Sequence, residues 1–283
     1  MAPAHRRQRL DAELVRRGLA RSREVAVTLI DDGRVRVGGR IAVKAATGVT
    51  PDEPVVVRPA PDGRPDYVSR GAHKLVGALD AFRVDPIGAR CIDAGASTGG
   101  FTDVLLRRGA AGVVAVDVGY GLLAWRLRTD ERVTVVDRTN VRLMSPAAVG
   151  GRADLVVADL SFISLRLVLP VLLACTRFRG DLLPMVKPQF EVGRDQVGSG
   201  GVVRDPARHR DAVRAVASTA IGLGARVEGV VASPLPGPAG NVEYFLHLRP
   251  GAPADADGPS GRLDALIAAA VEAGPHRDAR ADR

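Results

Sequence analysis

Lysine is almost missing from this chain: of 40 basic residues only Lys44, Lys74 and Lys187 are lysine, and the other 37 are arginine. Arginine serves wherever a solvated cation suffices, but its guanidinium stays protonated, whereas a partly buried ammonium can give up a proton. A GC-rich coding bias would strip lysine everywhere and leave a few at random, so position must decide what the survivors mean. Cysteine is scarce too. Cys91 and Cys175 lie in apolar stretches without metal-ligand spacing, which argues against a metal site and reads as two buried thiols in a reducing compartment. No apolar run approaches the roughly 20 residues of a membrane span; the longest, such as 167–175, are far shorter. Arg6, Arg7 and Arg9 precede an acidic amphipathic stretch instead of the apolar core of a signal peptide. A cytoplasmic protein with no membrane contact is expected.

What is present suits one or two globular domains: 283 residues, 46% of them hydrophobic, enough for a sizeable core. Charge is uneven. Residues 1–50 hold eleven Lys/Arg against five Asp/Glu, most of the +8 of the whole chain. A small basic module at one end points to a polyanion partner, most often nucleic acid, although a basic solvated face would look the same.

Leu10, Leu14 and Val15 recur at helical spacing, Gly18 stops that helix, and Ser22 is placed to cap a second one over 23–31. Val35 and Val37 followed by Gly38-Gly39 predict a strand and a tight turn, with another strand at 55–57. The run Arg9-Leu10-Asp11, Gly18-Leu19, Ser22-Arg23, Ile30, Gly33, Val35, Val37-Gly38 and Lys44 resembles the alpha-L RNA-binding domain of small-subunit ribosomal protein S-four. That resemblance implies that Arg9, Arg23 and Lys44 face phosphates of folded RNA, contacts that position a protein without reading sequence. A Pro/Asp/Gly-rich stretch at 59–66 then reads as a linker.

From residue 88, apolar runs alternate with helical patterns: 90–93, 112–117, 133–137, 155–159, 182–187, 226–232 and 244–248. Seven strands with intervening helices predict a doubly wound, Rossmann-like α/β sheet, in which ligands sit beyond the carboxyl ends of the strands. Asp93, Asp117, Asp137, Asp159 and Lys187 all end such runs. The loop Asp93-Ala94-Gly95-Ala96-Ser97-Thr98-Gly99-Gly100-Phe101-Thr102 joins the first strand to a helix starting near Phe101. Glycines there admit a ligand close to the backbone, and the helix N-terminus supplies oriented N–H groups. The loop has neither G-x-G-x-x-G nor Gly-Lys-Ser/Thr, so NAD and ATP are disfavoured. The acid before the loop and Asp117 after the next strand match S-adenosylmethionine sites, where Asp117 would accept both ribose hydroxyls and Asp137 could lie beside the adenine.

Lys74 falls on a helix before the first strand, Asp159 ends the fourth, Lys187 the fifth, and Glu243 opens the last. The order Lys, Asp, Lys, Glu resembles the catalytic tetrad of FtsJ-like ribose 2'-O-methyltransferases; surface salt bridges are the plainer alternative. With the strings Val68-Ser69-Arg70-Gly71, Lys187-Pro188-Gln189-Phe190-Glu191 and Ser233-Pro234-Leu235-Pro236-Gly237-Pro238, the chain up to about residue 249 is similar to the TlyA, or haemolysin A-like, family of ribosomal RNA 2'-O-methyltransferases. That likeness implies a small N-terminal α+β RNA-binding domain at 1–60, a linker at 61–68, a class I methyltransferase domain at 69–250 and a tail at 251–283. It implies S-adenosylmethionine as cofactor, bound by Asp93, Gly95, Ser97, Thr98, Gly99, Gly100, Phe101, Asp117 and Asp137. Ribosomal RNA or ribosomal subunits are the implied partner and cytidine the implied nucleoside, with no obligate protein partner. Some relatives carry Arg-x-Trp-Val at the linker, where this chain has Pro65-Asp66-Tyr67-Val68.

A ribose hydroxyl must lose its proton as it attacks a methyl group. Lys187 is the expected centre, either as an uncharged base or as an ammonium that aligns the hydroxyl while Asp159 and Glu243 hold the geometry; the sequence leaves both open. His73 adjoins Lys74 but faces another side of the helix, so a structural or solvent-facing role is expected. Two other functions compete, a non-catalytic RNA-binding assembly factor and a membrane-active haemolysin. A pseudouridine synthase, which can carry a similar N-terminal module, does not fit the loop at 93–102. Residues 250–260 read as flexible, and Leu263, Leu266, Ile267 and Val271 could form one amphipathic helix.

Overall fold

Every apolar run noted after residue 88 becomes a strand of one sheet. In a computed structural model, which describes residues 7–20, 22–59, 66–193, 196–237, 239–251 and 260–274, the chain forms two compact units, Met1–Arg70 and Gly71–Arg283. Arg6, Pro238, residues 60–65 of the linker and, in the tail, residues 252–259 and 275–283 lie beyond the described residues, as does most of the stretch read as flexible.

In the first unit, helices α1 (Leu10–Arg16) and α2 (Arg23–Asp31) pack together. The Ser22 hydroxyl accepts the Val25 N–H at 3.2 Å, so the predicted cap forms. Strands β2 (Val35–Val37), β3 (Arg40–Ile41) and β5 (Val55–Val57) make an antiparallel sheet, with Gly38-Gly39 turning β2 into β3. Two further strands, β1 (Gln8–Arg9) and β4 (Gly48–Val49), pair with each other. Leu10, Leu14, Ala26, Ile30, Val35 and Val49 form the core, the helical period meeting the strand period.

The second unit begins with α3 (Ala72–Phe82) and builds its sheet from β6 (Arg90–Ala94), β7 (Gly112–Val116), β8 (Val133–Val136), β9 (Ala153–Ala158), β10 (Thr176–Val186), β11 (Ala225–Ala232) and β12 (Tyr244–Pro250). Their spatial order is β11-β12-β10-β9-β6-β7-β8. The pairs from β10 to β8 are parallel, while β12 runs antiparallel to both β10 and β11. The connecting helices are α4 (Gly100–Arg107), α5 (Trp125–Arg128), α6 (Leu169–Cys175), α7 (Pro188–Glu191), α8 (Pro206–Gly222) and α9 (Ser260–Glu272).

Ile92, Ala94, Val156, Ala158, Leu182 and Val186 share a core with α6, α8 and α9. Their alternate neighbours, such as Asp93, face the side where α4 answers them. Burial on both faces explains why the central strands read as unbroken apolar runs. Helix α9 is no loose tail: Leu263, Ile267, Ala270 and Val271 are buried in that core, and each large aliphatic side chain so buried stabilises by about 1.5–3 kcal/mol. Cys91 and Cys175 are both buried and unpaired with each other; burial pushes the Cys91 thiol up to about 12, far from reactivity.

Candidate active site

Four chain segments converge at one end of this sheet. Ala158 of β9 lies beside Pro184 of β10 in a parallel pair, so Asp159 and Lys187 leave neighbouring strands at the same edge. Tyr244 of β12 faces Val186 of β10 in an antiparallel pair, which sets Glu243, one residue before the strand, next to Lys187. Lys74 joins from the first turn of α3.

Two ion pairs result. Lys74 Nζ donates to Glu243 Oε2 at 2.6 Å, with the Glu243 side chain only 1% exposed. Lys187 Nζ stands 2.6 Å from Asp159 Oδ1. That second contact is an ion pair off the hydrogen-bonding angle, since Asp159 Oδ1 has no aligned donor; the aligned hydrogen bond of Lys187 goes to Ser161 Oγ at 3.0 Å. Burial pushes the Glu243 carboxyl up, and the ammonium of Lys74, then that of Lys187, pulls it back. Gly237 makes room for this carboxylate, because an added Cβ would meet Glu243 Oε1 at 2.6 Å.

Two residues that sequence reasoning left without a role lock this geometry. The buried Glu191 carboxylate accepts the Ser164 hydroxyl and the Leu165 N–H, each at 2.6 Å, so the segment after Lys187 is bound to the segment after Asp159. Ser161 steadies the Lys187 ammonium. Glu191 closes the legible string Lys187-Pro188-Gln189-Phe190-Glu191 and Ser161 lies two residues after Asp159, but no spacing rule says which loop a carboxylate will cap. Phe162, exposed and at a left-handed φ of 63°, packs its ring 5.2 Å from that of Phe190 on the same two segments. His73 is half-buried on α3.

The glycine loop leads into α4 beside these groups. Gly95 has φ +87°, and an added Cβ would stand 2.5 Å from the Asp159 carbonyl oxygen. Gly99 has φ +96° and is the N-cap of α4. Gly100 and Phe101 open the helix; the Phe101 side chain is core, its ring 6.0 Å from Phe245, so only its backbone can face a ligand. Ser97, at φ 48°, donates its N–H to Asp117 at 2.8 Å, and Gly119 donates to the other oxygen at 2.7 Å. Thr98 receives the Ala124 N–H at 3.2 Å. Asp137 accepts from Arg128 at 3.0 Å and from the Gly121 N–H at 3.2 Å, and the Arg128 guanidinium holds its carboxyl low. A carboxylate has about four acceptor positions, so both acids keep capacity for a ligand.

Asp93 is the outlier. Thr102 donates to one of its oxygens at 2.7 Å, while the other is buried without a partner among the described residues. Burial pushes this carboxyl up to about 7, Thr102 opposing and the Asp159 and Asp117 charges adding to the rise. An orphaned buried oxygen amid like charges suits a cationic ligand. No group of three or more metal-ligating side chains occurs among the described residues.

In the first unit, Arg9 and Arg23 both grip Asp11, at 3.1 and 2.8 Å. The Leu10 and Asp11 N–H groups bind the Thr47 and Ala45 carbonyls, which brings the loop bearing exposed Lys44 to the same turn.

Residues 67–250 match the FtsJ-like methyltransferase family and residues 8–55 the S4 domain. The 16S/23S rRNA (cytidine-2'-O)-methyltransferase TlyA of Mycobacterium tuberculosis is 62% identical over 244 residues, 86% of this chain and 90% of that relative. The chain belongs to the TlyA family. A solved structure from Streptococcus thermophilus that carries the name hemolysin aligns with a TM-score of 0.73 and 35% identity, covering 95% of this TlyA-family chain and 97% of its own. Another of that name, from Lactococcus lactis, gives 0.66 and 42% over 73% of this chain and 99% of its own. Among the described residues no helix is long and apolar enough to cross a membrane.

Proposed function

We propose that this chain methylates the ribose 2'-hydroxyl of cytidine in ribosomal RNA, with S-adenosylmethionine as donor. The observation that carries the reading is the pair of ammonium–carboxylate contacts, Lys74–Glu243 and Lys187–Asp159, assembled from four separated segments beside a glycine loop. The Mycobacterium tuberculosis relative, named for this activity, supports it.

Asp93, Ser97, Thr98 and the backbone of Gly95, Gly99, Gly100 and Phe101 would hold the donor's amino-acid end, with Asp117 on the ribose and Asp137 beside the adenine. The donor supplies a methyl group on a cationic sulfur. Lys187, flanked by Asp159 and Ser161, orients the attacking hydroxyl and stabilises the oxygen as its proton passes to solvent and the donor departs as a neutral thioether, because a fixed cation is worth more in a partly buried site than in water. Asp159 holds that ammonium from one side. Glu243 and Lys74 close the site from the other, and their mutual pairing keeps a buried carboxylate from standing uncompensated.

Residues 1–60 form the RNA-gripping module, joined by a linker at 61–68, and Arg9, Arg23 and Lys44 contact RNA backbone. The ribosome places this activity in the cytoplasm. The test is to incubate the chain with labelled S-adenosylmethionine and ribosomal subunits and to map the 2'-O-methyl marks. Marks on cytidine that vanish with Lys187→Ala are expected. Cofactor and RNA binding without turnover would instead establish an assembly factor.

A further inference from the structure

We infer that Asp11 is the organising residue of an RNA-backbone clamp, its buried carboxylate fixing the Arg9 and Arg23 guanidiniums side by side so that both meet the phosphates of one RNA segment. The inference rests on the reading of the first unit as the RNA-gripping module.

Asp11 is 2% exposed, and its two oxygens are fully engaged. Oδ1 accepts from Arg9 Nε at 3.1 Å and from the Ala12 N–H at 2.9 Å; Oδ2 accepts from Arg9 Nη2 at 3.1 Å and from Arg23 Nη2 at 2.8 Å and Nε at 3.3 Å. The Arg9 bond, then that of Arg23, holds this carboxyl far below the ordinary range against the cost of burial. Both arginines turn the same edge, Nε with Nη2, toward Asp11. A guanidinium has five N–H donors in a rigid fork, so the outer edge of each remains directed away from the carboxylate. Their side chains stay 53% and 60% exposed.

A second carboxylate cluster on the same helix shows that this is not simply how the unit is bolted together. Glu13, equally buried, binds Arg16 and Arg17. Arg17, however, is only 19% exposed and spends its remaining donors on the backbone carbonyls of Glu53, Thr50 and Pro51. Arg16, 53% exposed, stays at the surface as Arg9 does, so the Glu13 cluster presents one cation and ties the other to the chain. The Asp11 cluster uses one buried negative charge to present two cations that no backbone carbonyl claims among the described residues. One acid against two arginines leaves a net positive face, and Lys44 extends it through the loop held at Ala45 and Thr47. Pre-ordered side chains lose less freedom when a phosphate arrives, and bidentate arginine contacts bring geometry as well as charge.

The sign of one substitution separates preorganisation from bulk charge. Asp11→Asn removes a negative charge and so raises the net charge by one, and a surface acting by net charge alone would bind ribosomal subunits more tightly and with a steeper salt dependence. Preorganisation predicts weaker binding, roughly tenfold at moderate salt, by the full chain to isolated ribosomal subunits, with thermal unfolding followed in parallel. The effect should disappear in an Arg9→Ala/Arg23→Ala background, where a merely structural loss would persist through Lys44. Equal or tighter binding by Asp11→Asn overturns the proposal. If that variant melts the module, Arg23→Lys decides, since it keeps the charge on an exposed side chain but loses the fork: weaker binding supports the clamp and unchanged affinity refutes it. Unchanged binding by Arg9→Ala/Arg23→Ala would overturn both the clamp and the RNA reading of this face, a result distinct from failure of the Asp11 role alone.

Discussion

The backbone of Gly95 lies against the carbonyl of Asp159 so closely that a single added methyl carbon would stand 2.5 Å from its oxygen. The glycine loop and the strand end that supplies one tetrad carboxylate are therefore one packed unit. Gly95→Ala should weaken S-adenosylmethionine binding and turnover together, each by about tenfold or more, because the φ of +87° is strained for alanine and a neighbouring peptide must move. Calorimetry and methyl transfer check both; a loss in only one would separate the two elements.

Gly99→Asp should go further and abolish cofactor binding, by a different route. An added Cβ meets Leu127 at 2.3 Å and Leu123 at 2.7 Å, so the damage is to the packing behind the loop and a lowered melting temperature should accompany it. Retained affinity would show that the leucines give way.

Lys187→Arg should leave cofactor affinity near normal while reducing turnover by about a hundredfold or more. The side chain is confined between Asp159 and Ser161, and a planar fork does not fit the place of a compact ammonium. Lys74→Arg should be damaging and Lys44→Arg mild. Near-normal methyl transfer by the Lys187 variant would sink the tetrad.

Asp93 makes stability depend on pH. Its native carboxyl titrates at about 7, above the roughly 3.9 of an unfolded aspartate. The native state thus holds a proton that the unfolded chain has released, and stability from this group, complete below about pH 4, is lost as pH rises through 7. Asp93→Asn escapes that loss. Without cofactor it should melt higher than the unaltered chain at pH 8, by a margin that narrows toward pH 5; a margin independent of pH would refute the assignment.

Glu191→Ala should lower kcat about tenfold with cofactor affinity within about twofold, since it frees the Ser164–Leu165 turn without touching the glycine loop. Glu191→Gln can still accept the Leu165 N–H and should recover most of the rate. Equal damage from both variants would point to the charge instead of the tie.

The meeting of Asp159 and Lys187 was legible because an apolar run marks each strand, and a charged residue where the run stops marks the edge at which ligands bind; Lys74, on a helix, and Glu243, ahead of an antiparallel strand, were picked out only by the family resemblance. Strands β1 and β4, two residues each, are too short to show a period. The start of β10 was hidden because Arg177-Phe178-Arg179-Gly180 reads as a turn, and the strand does carry a register shift between Thr176 and Asp181. Hydrogen-bond partners were the least legible. Asp11 stood in plain view within the RNA-binding pattern, two residues from Arg9, yet its hold on Arg23 depends on a helix–helix contact that no local spacing encodes.

The position of β12 between β10 and β11 governs the order in which this protein can be completed. Strand β11 is synthesised first, yet its only neighbour in the sheet is β12, so a nascent chain that has reached residue 232 can pack this strand on α8 and α3 but has no strand to pair it with. Insertion of β12 fills that gap and, in the same event, delivers Glu243 to Lys74. A chain that stops short of β12 therefore holds neither the complete sheet nor the Lys74–Glu243 pair.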